Sequence, residues 1–383
     1  MVEVFSFHTG WSLIVPLVVF IIGVTYFILV LSYYRGWKKI PEFHGTGNRK
    51  VSLKLSVIIP FRDEKESLLG LIEDLEKQDL EKNLFEVVLV DDHSCDGSYE
   101  LVQDLIQSLV NFKLIKNRLE GKKEAVLYGI ENSFGGLILT TDADCRRGNK
   151  WLSTMHEFYI HERPRMIIGP VLPESRAGIF HDLQSLEFFS LIGSTAGAAG
   201  IKRPIMCNGA NLAYERKEIQ DIDDPLELSQ TSGDDIFLLF AIKKNSKEKI
   251  HFLKSKNAAV YTSMSKSPGD FWPQRIRWVS KARSYRDFDV IFTASLVWIM
   301  NFFYLSLIPA FLVSLNYLYM FVFLILLKWI PDYILLRSIT EYYGRKDLLR
   351  WFLPLSAVYP VYVVVTGFLG LFGKSYQWKG RNF

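Results

Sequence analysis

Two carboxylates one residue apart, Asp142 and Asp144, follow the apolar run at residues 137–139 of this 383-residue chain. The run has the length of a buried β-strand, so both acids come where that strand would end. Ligands of an open parallel sheet bind beyond the carboxyl ends of its strands. Because alternate residues of an extended segment point the same way, both carboxylates could face one Mg2+ or Mn2+ ion. The pattern predicts a metal–diphosphate site, although acids after a strand are also common turn formers.

Three further polar clusters are predicted at strand ends or helix starts, where they could converge on the same crevice. They are residues 60–64 (P-F-R-D-E), 90–98 (V-D-D-H-S-C-D-G-S) and 121–123 (G-K-K). Each also has a structural interpretation, since Asp63 and Asp96 could cap helices and Lys122 could be a solvated surface charge. Their repetition after successive strands favours groups that hold a base, a ribose and a diphosphate.

Residues 232–239 (S-G-D-D-I-F-L-L) are the candidate source of a general base, which would take a proton from an attacking hydroxyl. Acids in a first helical turn complement the helix dipole, so Asp234 and Asp235 also have a structural interpretation. A carboxylate suits the catalytic task if burial raises its pKa toward neutrality. Both interpretations can hold, because a helix start is a rigid place to mount a catalytic group.

The elements that must position these clusters alternate between strands and helices. Beginning with a strand, we expect them at residues 54–60, 64–78, 86–90, 98–109, 112–116, 121–132 and 136–141. This alternation is typical of a parallel sheet with crossover helices, and it predicts an open, nucleotide-binding α/β domain. The Gly-Ala run at residues 193–200 matches no dinucleotide-binding fingerprint, and we expect a mobile surface loop there.

Four apolar stretches outside this domain are long enough to cross a bilayer. They comprise residues 11–31, 290–313, 315–336 and 351–372. Arg35, Lys38 and Lys39 follow the first stretch and no Lys or Arg precedes it, so we expect an uncleaved anchor with the domain in the cytosol. Lys328 and Asp332 interrupt the third stretch. They are functional candidates, but we expect them to snorkel to the membrane surface.

The basic tail leaves the topology of the last stretch open. Three crossings after the domain would place Lys374, Lys379 and Arg381 outside, against the charge rule. Pro354 and Pro360 could instead let the last stretch turn back within the protein.

Composition excludes other classes of protein. A net charge of +4 is too small to indicate a nucleic-acid partner and fits a cytosolic membrane face. The three cysteines have no metal-ligand spacing and predict no disulfide framework. No P-loop pattern is present, which disfavours ATP hydrolysis.

Residues 271–283 (F-W-P-Q-R-I-R-W-V-S-K-A-R) have the composition of an amphipathic helix on a membrane surface. In that interpretation basic and aromatic side chains meet lipid headgroups, namely Trp272, Arg275, Arg277, Trp278, Lys281 and Arg283. The planar fork of an arginine also suits a phosphate, and an indole face suits a sugar or lipid acceptor. We expect the segment to combine both roles.

Taken in order, the motifs resemble those of family 2 glycosyltransferases with a GT-A fold, inverting enzymes that use nucleotide sugars and a divalent metal. The family pattern V-I-I-P-x-x-x-E, V-D-D-x-S-x-D-x-S, G-K-x-x-A and D-x-D is met by residues 57–64, 90–98, 121–125 and 142–144. The likeness covers about residues 54–282. It includes Gln274, Arg277 and Trp278, which match the Q-x-x-R-W of cellulose and hyaluronan synthases and ceramide glucosyltransferase. Asp63 departs from the pattern, since many members have Asn there.

The resemblance implies roles in donor binding for the first motifs. Pro60, Glu64 and Asp91 would hold the nucleobase and ribose, with Asp92 close by. Lys122 would approach the base or the diphosphate.

The resemblance also implies the catalytic and acceptor residues. Asp142 would contact nucleotide or metal, and Asp144 would bind the metal. Asp235, the second acid of its pair beside Asp234, would be the general base. At the Q-x-x-R-W motif the arginine would support the diphosphate and the tryptophan would floor the acceptor site.

We therefore expect a GT-A domain with a mostly parallel sheet, one amino-terminal and about three carboxyl-terminal membrane helices. The expected parts are an anchor, the glycosyltransferase domain, an amphipathic interface segment and a membrane region, at residues 1–35, 36–270, 271–289 and 290–383. The protein would be an integral, multi-pass protein of a bacterial-type cell membrane with a cytoplasmic catalytic domain.

A bundle of so few spans makes a poor conduit for a polymer, so we expect transfer of one sugar from a UDP- or GDP-sugar to a membrane lipid or lipid-linked acceptor. A processive polysaccharide synthase is the first alternative. An inactive homologue acting as an assembly subunit is the second. Its sign would be the loss of a metal-pair acid or of the base, and none is missing from the sequence.

Overall fold

The computed structural model describes residues 4–45, 47, 53–222, 224–227, 233–312, 314–372, 377–378 and 381–382. Ser232, Lys374 and Lys379 lie outside the described residues. The chain forms two compact units, which we call the helical unit and the sheet unit. The helical unit comprises Met1–Trp37, Ala177–Gly197 and Ser265–Phe383, and the sheet unit comprises Lys38–Arg176 and Ala198–Met264.

The strands of the sheet unit form one large and one small sheet. In chain order they are β1 (Leu55–Phe61), β2 (Phe85–Asp91), β3 (Phe112–Lys116), β4 (Leu137–Thr140), β5 (Arg146–Arg147), β6 (Met166–Ile168), β7 (Val171–Pro173), β8 (Leu212–Glu215), β9 (Ile250–Phe252) and β10 (Val260–Thr262). The large sheet has seven strands in the order β3-β2-β1-β4-β8-β6-β9, and the small one has the order β5-β10-β7. The described part of the helical unit adds a short hairpin of β11 (Gln377–Trp378) and β12 (Arg381–Asn382).

The helices are divided between the two units. In chain order they are α1 (Val4–Lys39), α2 (Lys65–Glu76), α3 (Ser98–Leu105), α4 (Lys122–Glu131), α5 (Trp151–Glu162), α6 (Ile179–Gly200), α7 (Arg216–Gln220), α8 (Asp234–Ser246), α9 (Pro268–Ser280), α10 (Phe288–Phe311), α11 (Leu315–Tyr342) and α12 (Phe352–Phe372). Short 3-10 turns occupy Lys82–Leu84, Gly209–Asn211, Lys247–Lys249, Lys281–Ser284 and Lys346–Trp351. The helical unit contains most of α1 and α6 and all of α9 to α12.

The direction of the strands determines which loops meet. Strand β1 lies between β2 and β4 and is parallel to both, so all three end at the same edge of the sheet. These strands are buried along their whole length, which explains their continuous apolar runs. Strand β8 is antiparallel to β4, and Leu212 at its start pairs with Thr140 at the end of β4. The turn before β8 therefore lies at the edge where β1, β2 and β4 end.

The predicted α/β class and mostly parallel sheet are confirmed. The structure also confirms each predicted strand and helix up to β4, with small shifts at the ends; the largest is the helix predicted to end at residue 109, which ends at Leu105. A turn leading into a helix or strand was predicted at residues 205–214, and the structure has a turn there that leads into β8. The other later strands were not predicted individually, because short runs of three or four residues carry little periodicity.

The prediction of a mobile loop at residues 193–200 is wrong. These residues form the end of α6, and most of them are buried. A β-carbon added to Gly193 would lie 3.1 Å from Cγ1 of Ile339, and one added to Gly197 would lie 2.3 Å from the carbonyl oxygen of Tyr33. Small residues allow helices to approach closely, so this run is a packing surface for α11 and α1.

Four helices are long and apolar enough to cross a membrane, as predicted. The candidate spans are Ile14–Lys39, Phe288–Ala310, Leu315–Tyr342 and Lys346–Gly370. In the last of them, α12 continues as one helix with Pro354 in its first turn and Pro360 in its interior.

The expectation that Lys328 and Asp332 snorkel to the membrane surface is wrong. The Lys328 side chain is only 3% exposed, and its Nζ lies 2.8 Å from Oδ2 of Asp332. The hydroxyl of Tyr26 donates to Oδ1 of Asp332 at 2.8 Å. The rings of Tyr26 and Tyr359 lie 5.3 and 5.2 Å from the ammonium. Because these groups satisfy the ammonium within the unit, it has no need to reach the headgroup region.

Candidate active site

The loops after β1 and β2 hold each other in place. Oδ1 of Asp63 accepts from the backbone N–H of Cys95 at 2.7 Å, and the N–H of Asp63 donates to Oγ of Ser94 at 3.0 Å. Oδ2 of Asp96 accepts from the N–H of Lys65 at the start of α2. The capping interpretation is wrong for Asp63, whose carboxylate binds the loop after β2, while Glu64 is the N-cap of α2. Asp96 comes before Gly97, the N-cap of α3, but its carboxylate accepts from the first N–H of α2 and of α3. The cross-bonds place Glu64 at the start of α2, where its Oε2 accepts from Oγ of Ser67.

The neighbouring acids Asp91 and Asp92 are both buried. Oδ1 of Asp91 accepts from the N–H of Ser94. Oδ1 of Asp92 accepts from the N–H of Gly121 at 2.9 Å and from Nδ2 of Asn117 at 3.0 Å. Asp92 thus supports the turn that leads into α4, whose first residue is Lys122.

The strand residue Pro60 lies buried near the end of β1, in register with Val90 of β2. The structure thus places Pro60, Glu64, Asp91 and Asp92 at one edge of the sheet or just below it. Their proposed contacts with a nucleotide stay predictions.

Lys122 and four aspartates form what we call the acidic cluster, whose members are Lys122, Asp142, Asp144, Asp234 and Asp235. Nζ of Lys122 lies 2.7 Å from Oδ1 of Asp142. A β-carbon added to Gly209 would lie 3.5 Å from Oδ2 of Asp234, 3.6 Å from Cβ of Asp235 and 3.9 Å from Nζ of Lys122. Residues from the ends of β4 and the starts of α4 and α8 therefore come together around the turn before β8.

Asp235 is tied to this turn directly. Its Oδ2 accepts from the N–H of Gly209 at 3.2 Å, while its Oδ1 accepts from the N–H of Ile236 at 2.8 Å. Asp235 and Asp234 also occupy the first turn of α8, after Gly233 at φ 90°. The helix-start interpretation and a fixed, half-buried carboxylate thus hold together.

Asn211 anchors the turn before β8 through its buried side chain, a role that the sequence did not predict. Its side chain is fully buried, donates to the carbonyl oxygens of Pro170 at 2.7 Å and Ala258 at 2.8 Å, and accepts from Nε1 of Trp151 at 3.0 Å. The N-G-A-N sequence at residues 208–211 predicts the turn itself, but it does not reveal the distant partners of Asn211.

The charges of the cluster act on one another. Burial alone would lower the pKa of Lys122, but the negative charges of Asp142 and Asp234 outweigh it and raise that pKa. Partial burial, together with the like charges of Asp142 and Glu64, raises the pKa of Asp144. Excess negative charge is what a divalent cation would neutralise.

The donor atoms around Asp142 and Asp144 fit a hard cation. A carboxylate oxygen from each and Sγ of Cys145 all lie within 4.8 Å of one another. Burial and the charge of Asp144 raise the pKa of the Cys145 thiol well above its usual value, and Sγ donates to Oδ1 of Asp144 at 3.6 Å. The protonated thiol therefore supports Asp144, and the carboxylates are the ligands suited to Mg2+ or Mn2+. Burial also lowers the pKa of nearby Arg147 to about 10.

The Q-x-x-R-W residues lie on α9 in the helical unit. Oε1 of Gln274 accepts from Oγ of Ser265 at 3.1 Å. Arg277 and Trp278 are half-buried. Arg275, expected beside lipid phosphates, is instead buried and lies 2.6 Å from the carboxylate of Glu187. That expectation is wrong because this face of the helix meets protein.

Residues 56–220 match the family model described as glycosyl transferase family 2. This part of the chain is therefore similar to family 2 glycosyltransferases. The matched residues contain Pro60 to Asp144 of the candidate site, and Asp234 and Asp235 follow them.

Curated relatives match the chain over short stretches. The chain is 32% identical over 99 residues to glycosyltransferase AglE of Haloferax volcanii, covering 26% of this chain and 33% of the relative. It is 42% identical over 93 residues to undecaprenyl-phosphate 4-deoxy-4-formamido-L-arabinose transferase of Pseudomonas aeruginosa, covering 24% and 27%. The chain thus spans a third or less of the length of these two relatives.

The fold is shared with a solved enzyme. Mannosyltransferase PcManGT from Pyrobaculum calidifontis, solved with GDP-Man and Mn2+, superposes with a TM-score of 0.55 at 15% identity. The match covers 92% of this chain and 98% of that one. The predicted GT-A fold is confirmed.

Proposed function

We propose that this chain is a metal-dependent, inverting glycosyltransferase that moves one sugar from a UDP- or GDP-sugar to a membrane lipid or lipid-linked acceptor. The observation that carries the proposal is the acidic cluster, which gathers at the edge of the sheet where β4 ends. Lys122, Asp142 and Asp144 lie within the residues that match the model of glycosyl transferase family 2, which supports a sugar-transfer reaction. One relative is named as a transferase for undecaprenyl phosphate, which supports a lipid-linked acceptor.

The donor would bind across the ends of β1, β2 and β4. Pro60, Glu64 and Asp91 would hold the nucleobase and ribose, and the ammonium of Lys122 would attract the diphosphate. Asp92 would position Lys122 without contacting the donor, since its carboxylate accepts from the N–H of Gly121 just before Lys122.

Asp142 and Asp144 would hold Mg2+ or Mn2+. The cation would stabilise the negative charge that grows on the departing nucleoside diphosphate. Like-charge repulsion between the two carboxylates favours a site that fills with a cation. The thiol of Cys145 would orient Asp144 through its hydrogen bond.

Asp235 would be the general base. The bond from the anomeric carbon to the diphosphate breaks as the acceptor oxygen attacks, and the hydroxyl proton passes to the Asp235 carboxylate. The N–H groups of Gly209 and Ile236 fix the direction of that carboxylate. Asp234 would add negative charge beside it and balance Lys122.

The acceptor residues rest on the sequence resemblance. It assigns Arg277 to support of the diphosphate and Trp278 to the floor of the acceptor site, and it groups Gln274 with them. The four candidate spans support a membrane-embedded acceptor. Arg35, Lys38 and Lys39 at the carboxyl-terminal end of the first candidate span support a cytoplasmic catalytic domain.

The test uses the full chain purified into lipid nanodiscs with Mn2+, undecaprenyl phosphate or a bacterial lipid extract, and a panel of radiolabelled UDP- and GDP-sugars. We expect nucleotide release with one donor and one labelled sugar on organic-extractable lipid. A labelled polymer would identify a processive synthase. Donor binding without nucleotide release from any donor would identify an inactive homologue.

The variant Asp144→Asn tests the metal role in the same assay. Losing this carboxylate should lower turnover by about 10²–10³-fold, as for other groups that stabilise transition-state charge. Asp104→Asn, an exposed acid on α3, is the matched control. Turnover by Asp144→Asn near that of the control would rule out the metal role.

A further inference from the structure

A buried ion pair joins three helices of the helical unit. The Arg275 side chain is 1% exposed and that of Glu187 is 5% exposed, with 2.6 Å between Nη2 and Oε2. The hydroxyl of Tyr362 donates to the other carboxylate oxygen of Glu187 at 3.4 Å. The pair therefore links α9 to α6 and α12, and Arg275 occupies the first variable position of the Q-x-x-R-W motif.

The guanidinium of Arg275 also packs against aromatic rings. Its carbon Cζ lies 4.2 Å from the ring centroid of Trp278 and 4.9 Å from that of Phe271. Phe271, Arg275 and Trp278 share one face of α9, since four and three residues separate them. Phe188 of α6 lies 6.5 Å from Trp278, centroid to centroid.

Two nitrogens of this guanidinium, Nε and Nη1, are buried and have no hydrogen-bond acceptor among the described residues. A planar guanidinium can pair with a carboxylate in its plane while its face lies on an aromatic ring, which an ammonium cannot do. Apolar side chains of similar volume often replace a buried ion pair without loss of stability. The pair is therefore better explained by the geometry that it imposes than by stability.

We propose that Arg275 is a positioning residue for Trp278. Paired with Glu187, its guanidinium is a fixed platform that holds the indole ring in one orientation. This inference rests on the proposed function, in which Trp278 floors the acceptor site. It predicts that acceptor binding depends on Arg275 while donor binding does not.

The central test is the double variant Arg275→Met/Glu187→Leu in the full chain in nanodiscs. Both charges leave together, so the variant should fold and melt like the wild type. With the platform gone, we expect the KM for the lipid acceptor to rise about ten- to hundredfold, the scale of a misplaced substrate group. The KM for the donor should not change. Lys266→Met, which removes an exposed charge just before α9, is the matched control.

A second readout does not depend on catalysis. The chain labelled with fluorotryptophan gives a fluorine resonance for residue 278, identified by its loss in Trp278→Phe. We expect one sharp line in the wild type and a shifted or broadened line in the double variant. An unchanged line, or an unchanged acceptor KM in an active double variant, would overturn the inference. An inactive wild type would count against the proposed function, and the fluorine line would still decide the role of Arg275.

Arg275→Lys covers the case in which the double variant does not fold. It keeps the positive charge beside Glu187 but loses the planar face. We expect it to reproduce the fluorine change and the higher acceptor KM. A wild-type line in Arg275→Lys would also overturn the inference.

Discussion

The sheet unit and the helical unit treat charge in opposite ways. The acidic cluster of the sheet unit combines four carboxylates with one ammonium, and the buried cation of Arg147 acts on Asp142 from nearby. In the helical unit, Lys328 pairs with Asp332 and Arg275 pairs with Glu187, each within 2.8 Å. Negative charge is therefore in excess in the acidic cluster, whereas each of these two acids in the helical unit is neutralised by a cation.

This difference separates binding from architecture. Excess charge at the open edge of a sheet is favourable once a cation and a substrate arrive, so it is typical of a functional site. Charges that cancel inside a helix bundle link helices and set their geometry. The predictions below test the two sides of this contrast.

The largest expected effect is on catalysis by the acidic cluster, where negative charge is in excess. Asp235→Asn should lower kcat by about 10²–10⁴-fold, the usual contribution of a general base. Donor affinity, measured by calorimetry, should stay near that of Asp104→Asn. If donor affinity falls as well, Asp235 is a nucleotide contact, and the excess charge of the acidic cluster serves donor binding instead of general-base catalysis.

Breaking the ion pair between Lys328 and Asp332 should destabilise the protein. Lys328→Met leaves the partly buried carboxylate of Asp332 without its ammonium partner, and we expect a loss of about 3–5 kcal/mol in the free energy of unfolding. The double variant Lys328→Met/Asp332→Leu should recover most of that loss. Unfolding in detergent measures both. A single variant as stable as the wild type would show that the pair is not structural.

A smaller effect on stability is expected at the close contact of α6 with α1, which involves no charged side chain. In Gly197→Ala the new methyl group would lie 2.3 Å from the carbonyl oxygen of Tyr33. Overpacking of this kind costs about 1–3 kcal/mol. Gly148→Ala, where an added β-carbon has open space, is the control. Equal melting temperatures for the two variants would contradict close packing of α6 on α1.

The smallest effect is a change with pH in the acidic cluster. Because the pKa of Asp144 is raised, the folded state binds its proton more tightly than the unfolded state does. Its contribution to stability is therefore present at low pH and is lost as the pH rises through the folded pKa. Cation binding has the opposite sign, since Mn2+ competes with that proton.

We expect Mn2+ affinity, measured by electron paramagnetic resonance, to fall on acidification before the ordinary pKa of an aspartate, 3.8, is reached. Glu64→Gln removes one of the charges that raise this pKa and should move the fall to lower pH. Mn2+ binding that stays constant down to pH 3.8 would contradict a raised pKa at the cation site.

The sequence by itself determined the first four strands, the crossover helices and the four membrane-length helices. Their apolar runs and periodicities are local, and burial on both faces of a sheet or within a bilayer requires them whatever the neighbours are. It also located Asp142, Asp144 and Asp235, because a strand end and a helix start can be recognised from a few residues.

Only the tertiary structure decided how these residues meet and what the ambiguous segments do. Antiparallel β8 brings Gly209 and Asn211 to the cluster, which no local pattern encodes. The Gly-Ala run became helix because distant Tyr33 and Ile339 pack against it, although glycine disfavours helices locally. Lys328 is buried because the remote rings of Tyr26 and Tyr359 pack around it, and Arg275 because it pairs with the remote acid Glu187. In each case the free energy that decides the structure comes from contacts between segments remote in sequence, which local propensity does not encode.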